Sequence, residues 1–390
     1  MSKQSFRALG VSAQVERVLA ERGIIEPFVI QELVLPDAFA GLDVLAKSPT
    51  GSGKTLAFAL PIVERVASNR PQPTALVLVP TRELAMQVAE EIAIFAAVRG
   101  LKVAAVFGGA PLHEQAKRAA RAQILVATPG RLEDLVQRKL VALDTVTLLV
   151  LDEADRMLDM GFKPQVEKLL RRLPRERQTM LFSATLDGEV GELARSYTRD
   201  PSHFEAELPS DYQEAEIEHR FVSVSADEKV EQLVGELSSE RGLALVFVRT
   251  KRGADRLAAK LARREVHALA LHGDMPQNAR QSTLRRFRAG EVSTLIATDV
   301  AARGLDLEAI THVINFDPPE DDKGYVHRVG RTGRAGKGGS GITFVLPEQQ
   351  ADVSRLAARL GHREQFEREG MRTAAPRLLY TSRRGRRSRW

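Results

Sequence analysis

Twice along this 390-residue chain, short apolar runs rich in β-branched residues alternate with longer stretches patterned as helices. In the first half the runs cover 44–46, 75–79, 103–107, 124–127, 147–151 and 179–182. In the second they cover 221–224, 243–248, 268–271, 294–297, 312–316 and 342–346. Helical patterns such as 83–95 and 164–173 lie between them. Nearly continuous apolar strands separated by helices predict an α/β fold in which each half is a parallel sheet flanked by helices. Residues 205–216 (EAELPSDYQEAE) are acidic, contain Pro209 and read as a linker. The expected organisation is a first domain over 1–206, a linker over 207–216, a second domain over 217–362, and a basic, disordered tail over 363–390. Two such domains on a short linker leave a cleft between them, and clefts between domains are common ligand sites.

Composition narrows the functional classes. Hydrophobic residues make up 43% and charged residues 28%, an ordinary globular balance. No unbroken apolar run reaches the ~18 residues of a membrane span, and MSKQSFRALG has no apolar segment typical of a secretory signal. The chain has no cysteine, which removes disulfides, thiolate metal sites and cysteine nucleophiles and suits the cytoplasm. Its formal charge is +6, but residues 371–390 hold seven arginines and no acid, so the rest of the chain sums to −1. Such a tail reads either as a polyanion contact or as a solvated end.

The segment Ser48-Pro-Thr-Gly-Ser-Gly-Lys-Thr55 follows the first apolar run and precedes a helical one. Gly51 and Gly53 let backbone amides approach phosphate, with Thr50 and Ser52 between and beside them. Lys54 adds a point charge, the Thr55 hydroxyl can ligate Mg²⁺, and the helix N-terminus adds its dipole. Ser48 stands where the consensus has its first glycine. The acidic partner belongs at the end of another strand, and 147–151 runs into Asp152-Glu153-Ala-Asp155. Asp152 would hold Mg²⁺ through its water shell, and Glu153 would orient and deprotonate the attacking water. Asp155 can instead cap the next helix. The pattern is that of a nucleoside triphosphatase using ATP and Mg²⁺.

Asp152–Asp155 spells DEAD, and the chain from Phe6 to about Gly339 resembles the DEAD-box RNA helicases through many motifs in the family's order. The resemblance implies two tandem RecA-like domains. Gly23–Gln31 resembles the motif that selects adenine, with Gln31 on the base edge and Phe6 stacked on the ring. Phe28 departs from the usual threonine. Thr81-Arg82, Gly108-Gly109 and Thr128-Pro129-Gly-Arg131 each follow a strand, where open α/β sheets bind ligands. They carry phosphate-binding groups without a base code. In the family they grip the RNA backbone, although Thr128 and Pro129 also read as a helix cap and first-turn proline. Ser183-Ala-Thr185 implies coupling of hydrolysis to strand separation, together with Asp155 and His327.

The second half has no phosphate loop. By resemblance, Thr250, His272, Gly273, Arg280, Thr298 and Arg303 contact RNA, and Asp306 contacts the ATP ribose. Arg331 and Arg334 reach the γ-phosphate as arginine fingers. The function implied is an ATP hydrolase acting on RNA, with local, non-processive unwinding of short duplexes or remodelling of ribonucleoproteins. The partner is RNA with little sequence preference, and ribosome assembly or RNA decay are possible settings. The alternatives are an ATP-dependent RNA clamp or annealing factor and a DNA-directed translocase. A monomer is expected, with Val353–Leu360 docked as a terminal helix.

Overall fold

In the computed structural model, which describes residues 4–48, 51–69, 72–206, 217–239, 242–302, 309–333 and 338–373, the apolar runs become parallel strands. The first sheet contains β1 (Val44–Lys47), β2 (Ala75–Leu78), β3 (Val103–Val106), β4 (Ile124–Ala127), β5 (Leu148–Asp152), β6 (Gln178–Ser183) and β7 (Ser202–Glu205). Its order is β3-β4-β2-β5-β6-β1-β7, every pairing parallel. Strands β2, β4, β5 and β6 are buried along their whole length. Their side chains alternate between two apolar layers, as the strand period of two requires. Val77, Val126 and Val150 enter one layer. Leu76, Leu125 and Leu149 enter the other.

The second sheet contains β8 (Ile217–Ser223), β9 (Leu243–Phe247), β10 (Leu269–Leu271), β11 (Thr294–Ala297), β12 (Ile310–Asn315) and β13 (Gly339–Val345). Its order is β10-β11-β9-β12-β13-β8, again parallel throughout. The chain divides into two compact units, one carrying each sheet.

Two expectations need correction. Strand β7 had no apolar run to announce it: Ser-His-Phe-Glu alternates between half-buried and exposed at the sheet edge. The tail begins later than residue 363. A helix at Arg363–Arg368 packs on the second unit, with Phe366 fully buried. The Phe366 ring meets Phe221 edge-on at 5.5 Å. One large aromatic in a charged stretch is enough to dock a short helix, because burying it is worth about 2 kcal/mol. The linker 207–216 and residues 374–390 lie outside the described residues. Helix Gln350–Arg359 buries Val353, Leu356 and Ala357, so this segment is docked. Among the described residues, no helix is long and apolar enough to cross a membrane.

Candidate functional site

The phosphate loop leaves the C-terminal end of β1 and enters the helix Lys54–Arg65. Gly51 and Gly53 have φ of 89° and 88°, the left-handed region in which a side chain is strained. Ser48 is 1% exposed, and its hydroxyl bonds that of Ser52, so the substituted position braces the loop from within. The Ser48 N–H donates to Ser183 O at the end of β6 (2.9 Å). Lys54 is buried, and its Nζ donates to Ser48 O (3.0 Å). Thr55 is half-buried at the helix start. Thr50 lies outside the described residues.

Asp152 ends β5 with 3% of its surface exposed. Burial pushes its pKa up to about 7. The Glu153 charge adds to the rise, while Lys54, the Glu153 amide and Arg156 oppose it. One carboxylate oxygen accepts the Glu153 N–H (3.0 Å). Glu153 has φ 52° and ψ 49°, a left-handed conformation uncommon for a glutamate, and it begins the helix Ala154–Asp159. Both of its carboxylate oxygens accept from Arg156 Nη1, at 2.9 and 2.8 Å, in a buried ion pair. Arg156 is the residue that motif reading missed, although its spacing of three from Glu153 on a helix is the signal for such a clamp. Ser183 Oγ accepts the N–H of Asp155 (3.3 Å) and of Thr185 (3.4 Å). Ser183 is therefore bonded to the phosphate loop through its carbonyl and to the acidic segment through its hydroxyl. Thr185 itself is exposed.

The residues expected to select adenine are placed as follows. Phe6 is 2% exposed and sits in the core of the first unit with Leu9, Val11 and Val15, so its ring is not presented to a base. Phe28, 44% exposed, caps the helix Val29–Ala40 and lies against Gly53, where an added Cβ would meet its ring at 2.5 Å. Gln31 Oε1 accepts the Phe28 N–H (2.9 Å), and Gln31 Nε2 donates to Gly53 O (2.9 Å). Gln31 thereby ties this motif to the phosphate loop, with one donor and one acceptor site of its amide left.

Beside these groups, the C-terminal ends of β2, β4 and β3 carry the basic and hydroxyl segments. Thr81 caps its helix by accepting the Leu84 N–H (3.3 Å), which leaves its own O–H to donate elsewhere. Arg82 spreads over Gly108 and Gly109: a Cβ at Gly108 would lie 3.3 Å from its Nη2, and one at Gly109 would collide with Nη1. Thr128 occupies the cap position before Pro129 and makes no side-chain cap bond. Arg131 Nη1 donates to Ala110 O (2.8 Å) and Gln115 Oε1 (3.2 Å), and Gln115 in turn holds Phe107. The three segments thus form one cluster on the first sheet's rim.

The second unit repeats the placement at the ends of β9, β10 and β11. Thr250 caps its helix on the Gly253 N–H (3.0 Å). Next to Gly273, His272 is buried, with Nε2 2.9 Å from Asp255 Oδ1 and a buried Nδ1 without a partner. Arg280, expected on RNA, is 6% exposed and donates to His272 O (3.4 Å) and Ala301 O (2.9 Å). It positions those loops from behind. Thr298 is buried and starts the helix Asp299–Ala302. His327 is half-buried, and its carbonyl accepts from Arg331 Nε (3.2 Å). Arg328, which the motif reading passed over, is a structural hub. It donates to both Asp299 oxygens (2.6 and 2.7 Å), to Asn315 and to Asp317 O. Arg303, Asp306 and Arg334 lie outside the described residues.

A phosphate loop on β1, acids at the end of β5 and a second sheet of matching order define a tandem RecA-like P-loop protein. Comparison with known proteins makes this specific. A family described as DEAD/DEAH box helicase matches residues 28–193, and the helicase conserved C-terminal domain matches 227–336. The chain is 42% identical over 349 residues to the DEAD-box ATP-dependent RNA helicase CshA of Streptococcus pneumoniae, covering 88% of this chain and 66% of that protein. To CshA of Geobacillus kaustophilus it is 39% identical over 347 residues, covering 88% and 74%. The structure of S. cerevisiae Dbp5 bound to RNA and ADP BeF3 superposes with a TM-score of 0.79 at 30% identity, over 93% of this chain and 94% of that one. The chain belongs to the DEAD-box ATP-dependent RNA helicase family. It spans 66% of the length of the S. pneumoniae relative, just under two thirds.

Proposed function

We propose that the chain is an ATP-dependent RNA helicase that hydrolyses ATP when RNA is bound and separates short duplexes locally, or remodels ribonucleoproteins. The observation that carries this reading is the pair of bonds made by Ser183. Its carbonyl holds the start of the phosphate loop, and its hydroxyl holds the acidic segment. On the same rim stand the Arg82, Gly108–Gly109 and Thr128–Arg131 segments.

The residues present fit Mg²⁺ and ATP. Gly51 has open space where a side chain would stand, and among the described residues the Asp152 carboxyl makes a single hydrogen bond, leaving its other oxygen for the metal's water shell. Mg²⁺, when bound, would neutralise phosphate charge and favour ionised Asp152. The amides of 51–55 and the helix dipole would take the phosphates, with Thr50 and Thr55 beside them. Glu153, held by Arg156, would orient the attacking water and accept its proton. Gln31 would read adenine with its remaining donor and acceptor.

Thr81, Arg82, Gly108, Gly109, Thr128 and Arg131 would bind the RNA backbone, as would Thr250, Gly273 and Thr298 of the second unit, together with Arg303. Arg331 and Arg334 would serve the γ-phosphate and Asp306 the ribose once both ligands are bound. ATP and RNA then favour each other's binding by reciprocal linkage. The setting proposed is a cytoplasmic monomer.

Displacement of a short labelled RNA strand tests the reading. ATP-dependent release, lost in Glu153→Gln, supports unwinding. ATP-dependent retention on single-stranded RNA without displacement would assign a clamp instead.

A further inference from the structure

The first unit has a cavity of about 370 Å³ at the end of its sheet opposite the phosphate loop. Asp43 lies immediately before β1, and Thr179 is the second residue of β6; both line it. From Thr179 to Ser183, at the other end of β6, is about 13 Å at ~3.3 Å per residue. This volume falls within the range of small-molecule sites.

Two donors in the cavity lining are buried with no acceptor among the described residues. Thr179 is 1% exposed, and its hydroxyl is buried without a hydrogen-bond partner. Arg177 is fixed by Nη1 on Pro174 O (2.6 Å) and Nη2 on Tyr197 O (3.5 Å), while its Nε is buried and unpartnered. Arg175 and Arg199 line the same space from exposed positions. Asp43 is the one acid in the lining, and both of its carboxylate oxygens already accept hydrogen bonds. One carboxylate oxygen accepts the Thr179 N–H and the other the Arg199 N–H, both at 2.7 Å. These two bonds hold the hydroxyl and the arginine at one place. Burial lowers the Arg177 pKa from its ordinary value, with Asp43 opposing and the Arg199 charge adding to the fall. An anion between the two guanidiniums would relieve that repulsion.

We propose that this cavity is a second anion site, taking a small phosphate-bearing ligand through Arg177 Nε, the Thr179 hydroxyl and the guanidiniums of Arg175 and Arg199. Buried donors without acceptors are costly, and a ligand that only accepts removes the cost. A phosphate is favoured over a carboxylate because three guanidiniums and a hydroxyl offer more donors than two carboxylate oxygens can take. The site is independent of the ATP site, so it stands or falls apart from the helicase reading.

The test is titration of the full chain with pyrophosphate, followed by calorimetry and by the ¹⁵Nε resonances of arginine. It is run in a Lys54→Ala background to silence the phosphate loop. Saturable binding is expected, with a shift of the Arg177 Nε resonance. The surface double variant Arg175→Gln with Arg199→Gln is expected to weaken binding tenfold or more, and the near-isosteric Thr179→Val a few-fold. Loss of binding in Lys54→Ala alone would place the anion in the phosphate loop and overturn the proposal. So would unchanged affinity in both cavity variants, or no saturable binding at millimolar pyrophosphate. Tighter binding of a triaspartate peptide than of pyrophosphate would overturn the assignment to phosphate.

Discussion

The two sheets share one strand order, β3-β4-β2-β5-β6-β1 matching β10-β11-β9-β12-β13-β8 position by position. The match extends to the charges. In the first unit a helix begins at Lys54 after β1, and Asp152 ends β5. In the second a helix begins at Lys229 after β8, and Asp317 follows β12 by two residues. There the pair is shut: Lys229 Nζ lies 2.9 Å from Asp317 Oδ1 and 4.3 Å from the Phe316 ring centre, and Asp317 Oδ2 accepts the Arg249 N–H (2.9 Å). In the first unit Lys54 donates to the loop's own carbonyl, and Asp152 has no ion pair among the described residues. The difference lies in the connecting segment. Residues 48–53 have two glycines with positive φ, whereas 224–228 (VSADE) have none. Strand order places the charges, and the glycine loop decides whether they meet a phosphate or each other.

The sharpest way to break this comparison is to remove each lysine. Lys54→Ala is expected to reduce RNA-stimulated ATPase by about 10³-fold or more, because charge stabilisation dominates phosphoryl transfer. Lys229→Ala is expected to leave turnover per folded molecule unchanged and to destabilise the second unit by about 2 kcal/mol, since it strands a partly buried Asp317. Equal loss of turnover in both would erase the distinction. Next in size is the clamp on the base. Arg156→Ala frees the Glu153 carboxylate and is expected to lower kcat about 10–100-fold with little change in the KM for ATP, read from steady-state kinetics.

A pH effect separates the units further. Burial, reinforced by the charge of His362, lowers the His219 pKa to about 4 from 6.5. Its ring stacks on His362 at 3.7 Å, and its Nδ1 is 2.8 Å from Tyr325 OH. The unfolded chain takes up this proton below pH 6.5 and the folded unit does not until about pH 4. Stability of the second unit is therefore lost as pH falls through that window. Solvent contact keeps the loss to about 2 kcal/mol. Thermal melting across the window, compared with His219→Phe, should show the dependence flatten in the variant. The smallest effect concerns the first unit's loop. Phe28→Ala is expected to raise the KM for ATP a few-fold without changing kcat, and Phe28→Tyr to restore it. A change in kcat alone would remove Phe28 from the nucleotide site.

Most of the architecture was legible because buried parallel strands are nearly all apolar. The twelve apolar runs all became strands, and among the described residues only β7, at an edge with polar alternation, was silent. The docked helix at Arg363–Arg368 escaped because a single buried phenylalanine leaves no periodicity. Within the candidate site, the strand-end and helix-start placement of Lys54, Asp152, Glu153 and Ser183 was readable from motif spacing. The burial of Phe6 and the packing of Phe28 against the loop were not, because a phenylalanine suits a core and a surface equally until its exposure is known. Nor was the conversion of Arg280 into an internal brace, which depends on the carbonyls that the fold turns toward it.

The most direct measurement is steady-state ATPase without nucleic acid, with single-stranded RNA and with single-stranded DNA, alongside Glu153→Gln. The account predicts strong stimulation by RNA, little by DNA, and none in the variant. High activity without RNA, or equal stimulation by DNA, would contradict an RNA-gated ATP site.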